Sequence, residues 1–298
     1  MATDDTHWQM DVVAALGAAG NARWRRMSAS GWSEAWALEV RAMRWFVKVM
    51  RARFRSMANA ETDGLTALAA TASVRVPGVR LRLACSDVAV VAFEWLEMRP
   101  LKDAAALGRA VAALHRQPIA RGPDPGKFGW MHDNWIGGTP QKNAWSNDWA
   151  KFFRDRRLAP QFARAVRDGR GAALSRMADR VLGAVPALLR GHDPTPSLLH
   201  GDLWSGNVAE LASGEPAIFD PAVYVGDREA DIAMTELFGG FDAAFYGAYD
   251  EALPRAPGYE VRRELYNLYH LLNHLNLFGA GYRARVDATV ARLLAEVG

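Results

Sequence analysis

The chain lacks several features that would point to an exported or membrane protein. Cys85 is the single cysteine among 298 residues, so no disulfide can form within the chain and nothing depends on an oxidising compartment. No stretch approaches the about 18 uninterrupted apolar residues that a membrane-spanning helix needs. The first ten residues are acidic and polar where a signal peptide would be basic and then apolar. We therefore expect a cytoplasmic protein that is neither exported nor inserted in a membrane.

An excess of charge of one sign is also absent. The chain has 36 Lys and Arg against 33 Asp and Glu, a net charge of +3, and the basic residues form no block. Nucleic acid is therefore not an implied partner. Half of the residues are hydrophobic, which is ordinary for a globular protein and enough for one large or two modest cores.

The local sequence pattern before residue 97 is typical of a small sheet with one inserted helix. Residues 36–50 alternate and then become apolar, which predicts an antiparallel hairpin with Lys48 inside a strand. Residues 58–71 are good helix formers and place Glu61 near the start of a helix. Residues 76–96 favour two further strands.

The pattern after residue 97 is mainly helical. Residues 103–117 form a strongly amphipathic helical pattern, and the helical stretches that follow are expected to be interrupted at Pro160 and Pro186. Glycine, proline and tryptophan are dense between residues 122 and 138, which indicates a long structured loop. We expect an α+β fold with two lobes, a small antiparallel-sheet lobe (1–97) and a mainly helical lobe (98–298).

The most informative segment is SLLHGDLWSGNVAELASGEPAIFDPA, residues 197–222. Phosphoryl transfer needs a carboxylate to accept the proton of the attacking hydroxyl and oxygen ligands to hold Mg²⁺ on the phosphates. Asp202 fits the first role. Asn207 can return to the same site if the loop between them is tight, and Gly206 is expected to permit that turn. A hairpin around residues 213–214 would bring Asp220 beside Asn207, giving an oxygen-only Mg²⁺ site.

Two further positions in the first lobe are suited to holding ATP. The ammonium of Lys48 can reach nucleotide phosphates if a helical carboxylate holds it, and Glu61 is the candidate partner, with Asp63 as the alternative. The segment Glu94, Trp95 and Leu96 follows the apolar run VAVVAF. It is interpreted either as a plain strand end or as a hinge whose backbone groups bind adenine.

These motifs resemble the fructosamine kinase (ketosamine-3-kinase) family, within the protein-kinase-like fold of small-molecule phosphotransferases. HGDLWSGN, residues 200–207, carries the resemblance, and residues 128–161 and 219–241 are also similar. Aminoglycoside and choline kinases typically have HGDLHPGN or HNDLxxxN. Trp204 and Ser205 are therefore the letters specific to the ketosamine family.

The resemblance implies that Asp202 is the catalytic base, that Asn207 and Asp220 bind Mg²⁺, and that Lys48 and Glu61 orient ATP. It implies phosphorylation of the 3-hydroxyl of ketosamines, either small molecules or sugar adducts on protein lysines, followed by spontaneous release of the amine. Trp204 would lie against the sugar or its amine linkage, with packing beneath the loop as the alternative. Asp231 would brace the catalytic loop from the following helix, or serve only as a helix N-terminal acid.

The loop that should cover the phosphates departs from the usual pattern. The segment before the Lys48 strand contains Gly31 alone where more glycines are usual, so backbone N–H groups and the hydroxyls of Ser28, Ser30 or Ser33 are the candidate phosphate contacts. This departure puts the strength of nucleotide binding in question. It therefore leaves open an alternative function, a pseudokinase that binds ATP but transfers no phosphoryl group.

Other acceptors and other sites are also weighed. The remaining enzymatic alternative is a kinase of the same fold acting on an aminoglycoside, choline or a plain sugar. An aminoglycoside pocket should gather acidic residues, and the loop from Gly122 to Trp149 has only Asp124, Asp133 and Asp148. His200 is expected to be a scaffold residue. His270 and His274 lack a third zinc ligand and are expected to pack in a helix. The sequence leaves the oligomeric state open.

Overall fold

The computed structural model of the chain describes residues 7–119, 126–169 and 172–298. The strands and the inserted helix expected before residue 97 are all present. The elements of this part are α1 (His7–Ala15), β1 (Ala22–Ala29), β2 (Ser33–Val40), β3 (Met43–Arg51), α2 (Arg55–Ala70), β4 (Val79–Ala84) and β5 (Val88–Glu94). The helix α2 begins at Arg55, so Glu61 lies in its second turn.

The five strands form one antiparallel sheet in the order β1-β2-β3-β5-β4. Lys48 lies on the central strand β3, opposite Ala35 and Val91. Because side chains alternate across a strand, Val47 and Val49 pack into a small core on the α1 side, while Lys48 faces α2. The alternation of the sequence thus directs the lysine toward the interior between the sheet and α2.

The rest of the described chain is mainly helical. Its elements are β6 (Met98–Arg99), α3 (Ala104–Arg116), β7 (Asn134–Ile136), β8 (Thr139–Gln141), α4 (Trp149–Phe152), α5 (Ala159–Arg167), α6 (Ala172–Leu188), β9 (Pro196–Leu199), β10 (Val208–Leu211), β11 (Pro216–Ile218), β12 (Tyr224–Asp227), α7 (Glu229–Leu237), α8 (Ala243–Ala252), α9 (Tyr259–Phe278) and α10 (Arg283–Ala295). Within the described ranges no helix has both the length and the apolar character needed to cross a membrane.

Small sheets connect the two parts. The predicted hairpin is present as β10 and β11, and β6 pairs with β10, so residues 98–99 share a sheet with the helical part. Arg75 forms a bridge with Ala217, and its carbonyl accepts a hydrogen bond from the N–H of Ile218. The α+β arrangement is confirmed, and a lobe boundary at residue 97 stays a prediction.

The glycine- and tryptophan-rich segment is only partly described. Residues 120–125, with Asp124 among them, lie outside the described residues. From Gly126 onward the segment contains a short hairpin, β7–β8, which the sequence analysis did not separate from the loop.

The interruption expected at Pro186 is wrong, and at Pro160 the chain changes its helix type but does not leave the helix. The chain stays helical from Trp149 to Arg167, through π-helical turns at Phe153–Leu158, and Pro186 lies inside α6. Pro160 has no N–H to donate to the carbonyl of Arg156, four residues earlier. That carbonyl accepts a hydrogen bond from Nη1 of Arg157 instead, at 3.1 Å, so the missing donor is replaced locally.

The two histidines of α9 pack in the helix, as expected. His270 is buried, and Nδ1 of His274 lies 2.9 Å from the carbonyl oxygen of His270. The ring of His274 contacts Phe238 at a centroid distance of 4.8 Å. Among the described residues neither histidine belongs to a group placed to bind a metal.

Buried His270 makes the fold sensitive to acid. Burial, reinforced by His274, lowers the pKa of His270 from 6.5 to about 3. As the pH falls below 6.5, the unfolded chain takes up a proton that the folded chain refuses, so stability is lost between about pH 6.5 and 3. Replacing His270 with Phe should remove about 2 kcal/mol of the stability loss between pH 6.5 and about 4.5.

Urea unfolding of wild type and His270→Phe across this pH range measures the effect. His132→Phe, at an exposed histidine, is the control and should follow the wild-type curve. If the free energy of unfolding fell equally with pH in wild type and His270→Phe, the acid sensitivity would not come from His270.

Candidate active site

The loop between β9 and β10 positions Asp202. A Cβ on Gly201, whose φ is +81°, would overlap the carbonyl oxygen of Ala222, so only glycine fits before Asp202. Asp231, at the start of α7, accepts hydrogen bonds from the backbone N–H groups of His200 and Gly201 at 2.7 and 2.8 Å. The side chain predicted to brace the loop therefore contacts it directly.

Asp231 is held as a buried anion. Burial acts to raise its pKa, but bonding and charge from His115, with a hydrogen bond from Gly201, outweigh burial and hold the pKa below its usual value. Nε2 of His115 lies 3.2 Å from Asp231, and Nδ1 lies 2.8 Å from the hydroxyl of Tyr249. The sequence analysis missed His115 because its partner lies 116 residues away.

Asn207 closes the loop onto Asp202. Its side-chain NH₂ donates to the carbonyl oxygen of Asp202 at 2.9 Å and to the carboxylate at 3.3 Å. The amide oxygen of Asn207 is then the atom left for a cation. Gly206 is needed for a different reason from the one expected: it has no positive φ, but a Cβ there would overlap the indole of Trp204.

Asp220 completes the group from the segment after β11. Its φ of +57° is unusual for a non-glycine residue and is a local strain of the kind found at functional sites. The carboxylate accepts a hydrogen bond from Lys48 at 2.6 Å, and Lys48 donates to Glu61 at 2.6 Å as well. The alternative partner Asp63 accepts from the indole N–H of Trp130 at 3.0 Å instead.

The charges of this cluster affect one another strongly. Burial acts to lower the pKa of Lys48, but the carboxylates of Asp220 and Glu61 outweigh it, so the pKa is raised and the lysine stays charged. Burial, together with the charge of Asp220, raises the pKa of Asp202 to about 7, although the bond from Asn207 lowers it. A carboxylate with a pKa near the working pH is well suited to act as a general base.

The donor set suits Mg²⁺. Asn207 and Asp220 offer only oxygen atoms, and half of the Asp220 side chain is exposed to the cleft. Mg²⁺ prefers carboxylate and amide oxygens together with water and phosphate oxygens. The residues predicted to bind the metal thus lie beside the candidate base, Asn207 on the same loop and Asp220 on the segment after β11.

The segment Glu94, Trp95 and Leu96 borders a cavity of about 330 Å³ between the two parts of the chain. The carboxylate of Glu94 accepts hydrogen bonds from Arg75 and, at 2.7 Å, from Arg80. The side chain of Glu94 is therefore already paired with these two arginines. Backbone groups and apolar walls therefore remain for a flat ligand. The other walls include Phe46, Leu65, Phe93, Met98 and Phe219.

Ser30 and Gly31 lie at the turn between β1 and β2. The hydroxyl of Ser30 accepts hydrogen bonds from the backbone N–H groups of Trp32 and Ser33 at 3.3 and 3.0 Å. Those donors are used inside the turn. The role of Ser30 and Gly31 in binding phosphate stays a prediction.

A second cavity of about 270 Å³ adjoins the cluster. Its lining includes Asp202, Lys48, Asn207, Asp220, Trp204, Trp135 and Trp32. Trp204 is 38% exposed, and its indole contacts Phe238 in a T-shaped arrangement at a centroid distance of 6.2 Å. The sequence analysis missed Trp32 and Trp135, because only the fold brings them to the cleft.

Comparisons with known proteins identify the family of the chain. The family model for fructosamine kinase matches residues 10–296. A "Probable ketoamine kinase" of Synechocystis sp. is 45% identical over 84% of this chain and 83% of its own length. A "Protein-ribulosamine 3-kinase, chloroplastic" of Oryza sativa is 40% identical over 82% of this chain and 70% of its own length.

Solved structures agree on the fold. The crystal structure of a "Putative fructosamine-3-kinase" from Haemophilus somnus has a TM-score of 0.87 at 30% identity, covering 96% of this chain and 97% of that one. A macrolide 2′-phosphotransferase, 17% identical with a TM-score of 0.62, covers 98% of both chains and shows the shared kinase-like fold alone. The expected protein-kinase-like fold is confirmed, and the chain is a member of the fructosamine kinase family.

Proposed function

We propose that this kinase transfers the γ-phosphoryl group of ATP to the 3-hydroxyl of a ketosamine. The observation that carries the proposal is that Asp202 and Trp204 line the same cavity as the Lys48–Asp220 pair. Relatives named ketoamine kinase and ribulosamine 3-kinase support the substrate class.

Each residue has a role in the proposed reaction. Lys48, held by Glu61, binds the ATP phosphates, and the backbone of Glu94, Trp95 and Leu96 borders the adenine. Asn207 and Asp220 would hold Mg²⁺, which would neutralise phosphate charge. Asp231 keeps the loop in place.

The proton and the phosphoryl group move in one step. The carboxylate of Asp202 accepts the proton of the sugar hydroxyl, whose oxygen bonds to the γ-phosphorus as the bond to the β–γ bridging oxygen breaks. ADP is the leaving group. The 3-phosphorylated adduct would then break down spontaneously and release the free amine, so the reaction removes a sugar from an amine.

The acids of the predicted loop favour a sugar adduct over a polycationic acceptor. Asp133 binds Lys142 at 2.7 Å, and Asp148 caps α4 by accepting from the N–H of Lys151 at 2.8 Å. The two described carboxylates of the loop are therefore bound by neighbouring residues, and Asp124 lies outside the described residues. An aminoglycoside, which carries several positive charges, would need free carboxylates here.

Consumption of Mg-ATP with a panel of acceptors tests the proposal. The panel contains ribuloselysine, fructoselysine, choline, an aminoglycoside and plain sugars, with Asp202→Asn as the control for each. We expect turnover with a ketosamine alone, lost in the variant. Turnover of another acceptor would replace the substrate class, and ATP binding without any turnover would favour a pseudokinase.

Trp204 is predicted to bind the acceptor. Replacing it with Ala should raise the KM for the ketosamine by about tenfold, the loss of one aromatic contact, while the KM for ATP changes little. Trp204→Phe keeps a flat apolar face and should recover most of the affinity. Equal effects on both substrates would mean that the indole serves only to pack on Gly206.

A further inference from the structure

The turn between β1 and β2 carries a tryptophan that reaches across the cleft. The turn is closed by a bond of 2.8 Å from the N–H of Ser30 to the carbonyl of Ser33, and the half-buried indole of Trp32 projects from it. A Cβ placed on Gly138 would lie 2.7 Å from Cε3 and 2.8 Å from Cζ3 of that indole. The indole therefore lies directly on the Gly138 backbone, in the turn between β7 and β8.

The other tryptophans of these strands pack elsewhere. Trp24 and Trp36 contact Trp8 of α1 at centroid distances of 5.0 and 6.0 Å, on the far face of the sheet. Trp32 instead packs with the larger core, which contains the helical part of the chain. Its contact thus joins the two sides of the cleft.

The hairpin that receives Trp32 is rigidly held. Asn134 donates to the carbonyl of Val223 at 2.6 Å, and Gln141 donates to the carbonyl of Ala222 at 3.1 Å. These carbonyls follow Asp220 closely in the chain. The turn under Trp32 is therefore fixed to the same segment that positions the candidate metal ligand.

We propose that the contact between Trp32 and Gly138 is a latch between the two parts of the chain. The latch closes the end of the cleft that contains Asp202 and Trp204, where the acceptor would bind. Trp32 is then a positioning residue for the acceptor. The N–H groups of Trp32 and Ser33 donate to the Ser30 hydroxyl, and these bonds within the turn support the backbone from which the indole projects. Trp32 lines the same cavity as Asp202 and Trp204, so a sugar-sized acceptor lies between an indole from each part. This inference rests on the proposed sugar-phosphorylating function.

Closing this end of the cleft has a chemical consequence. A closed site excludes water, which would otherwise compete with the sugar hydroxyl for the γ-phosphoryl group. Loss of the latch should therefore let ATP be hydrolysed without an acceptor. The ratio of phosphorylated sugar to ATP consumed reports latch closure and would not change if Trp32 had a merely structural role.

A double-mutant cycle of Trp32→Ala and Gly138→Ala tests the latch. Gly138 has no positive φ, so alanine strains nothing except the contact with the indole. Each single variant should raise the ketosamine KM by about ten- to a hundredfold and lower the phosphorylation-to-hydrolysis ratio, with a smaller effect on the ATP KM. In the double variant Gly138→Ala should add almost nothing, because the indole it displaces is already gone.

Gly183→Ala, at an exposed helical glycine with open space around it, is the matched control and should behave as wild type. Independent effects, in which the fold-changes of the single variants multiply, would overturn the latch. So would single variants that leave the acceptor KM and the ratio unchanged.

A measurement without substrate separates this inference from the proposed function. Hydrogen exchange of the backbone of residues 28–34 should be faster in Gly138→Ala than in wild type and in Gly183→Ala. If no ketosamine is phosphorylated, the proposed function fails, yet faster exchange would still support the latch. Unchanged exchange would overturn the latch whatever the substrate, and Trp32→Phe repeats the test if Trp32→Ala does not fold.

Discussion

Asp202→Asn should lower the turnover of ketosamine phosphorylation by about 10²–10⁴, the usual contribution of a general base. Asparagine keeps the shape of the side chain but cannot accept the proton of the attacking hydroxyl. Among the described residues Lys48 forms its ion pairs with Glu61 and Asp220 and not with Asp202, so the affinity for ATP should stay close to the wild-type value. Steady-state kinetics together with calorimetric titration of ATP measure the two effects separately.

The folded state must be preserved for this result to count. The N–H of Gly201 donates to Asp231, and the side chain of Asn207 donates to the backbone carbonyl of Asp202. Neither bond needs the Asp202 carboxylate, so the loop should keep its conformation in the variant. An unchanged melting temperature serves as the control. A turnover within a few-fold of wild type would contradict the role of Asp202 as the base.

Asp220→Asn should impair both Mg-ATP binding and turnover. The change removes the anion that pairs with Lys48 at 2.6 Å and weakens the oxygen set beside Asn207. Since a bound divalent ion supplies several kcal/mol of charge stabilisation, turnover should fall on the order of a hundredfold or more, with a raised KM for Mg-ATP. Titration of Mg²⁺ at fixed ATP should show a right-shifted curve.

The matched control is Asp287→Asn, which breaks a partly exposed pair with Arg283 at 2.8 Å on α10. Such surface pairs are worth about 0–1 kcal/mol, so this variant should keep wild-type kinetics. The contrast with Asp202→Asn is the sharper comparison. If both active-site variants lost turnover alone, with no change in Mg-ATP binding, the division between base and metal ligand would be wrong.

The candidate base and the candidate metal ligands could be predicted because these residues lie close together in the sequence. HGD-x-x-x-x-N and the second aspartate lie on one loop and one hairpin, so 19 residues of sequence contain Asp202, Asn207 and Asp220. Alternation on β3 likewise predicted that Lys48 lies in a strand, and helix propensity placed Glu61 on α2. The choice between Glu61 and Asp63 stayed open, since it depends on which face of α2 meets the sheet.

Proline was weighed too heavily. An interruption was expected at Pro160, but the chain stays helical there through π-helical turns, and the Arg157 side chain donates to the Arg156 carbonyl. A side chain that rescues a backbone carbonyl cannot be inferred from propensity. Gly206 was expected to permit a tight turn, yet the indole of Trp204 resting on it is what excludes a Cβ.

Local sequence patterns were enough to predict the candidate catalytic group, the alternation of the sheet and the family, since each depends on residues close together in the chain. Which side chains from distant parts of the chain come into contact follows only from the tertiary structure. His115 reaches Asp231 over 116 residues, and Trp32 meets Gly138 from the opposite side of the cleft. Long-range contacts of this kind follow from how packed elements orient one another, and no local pattern records that orientation.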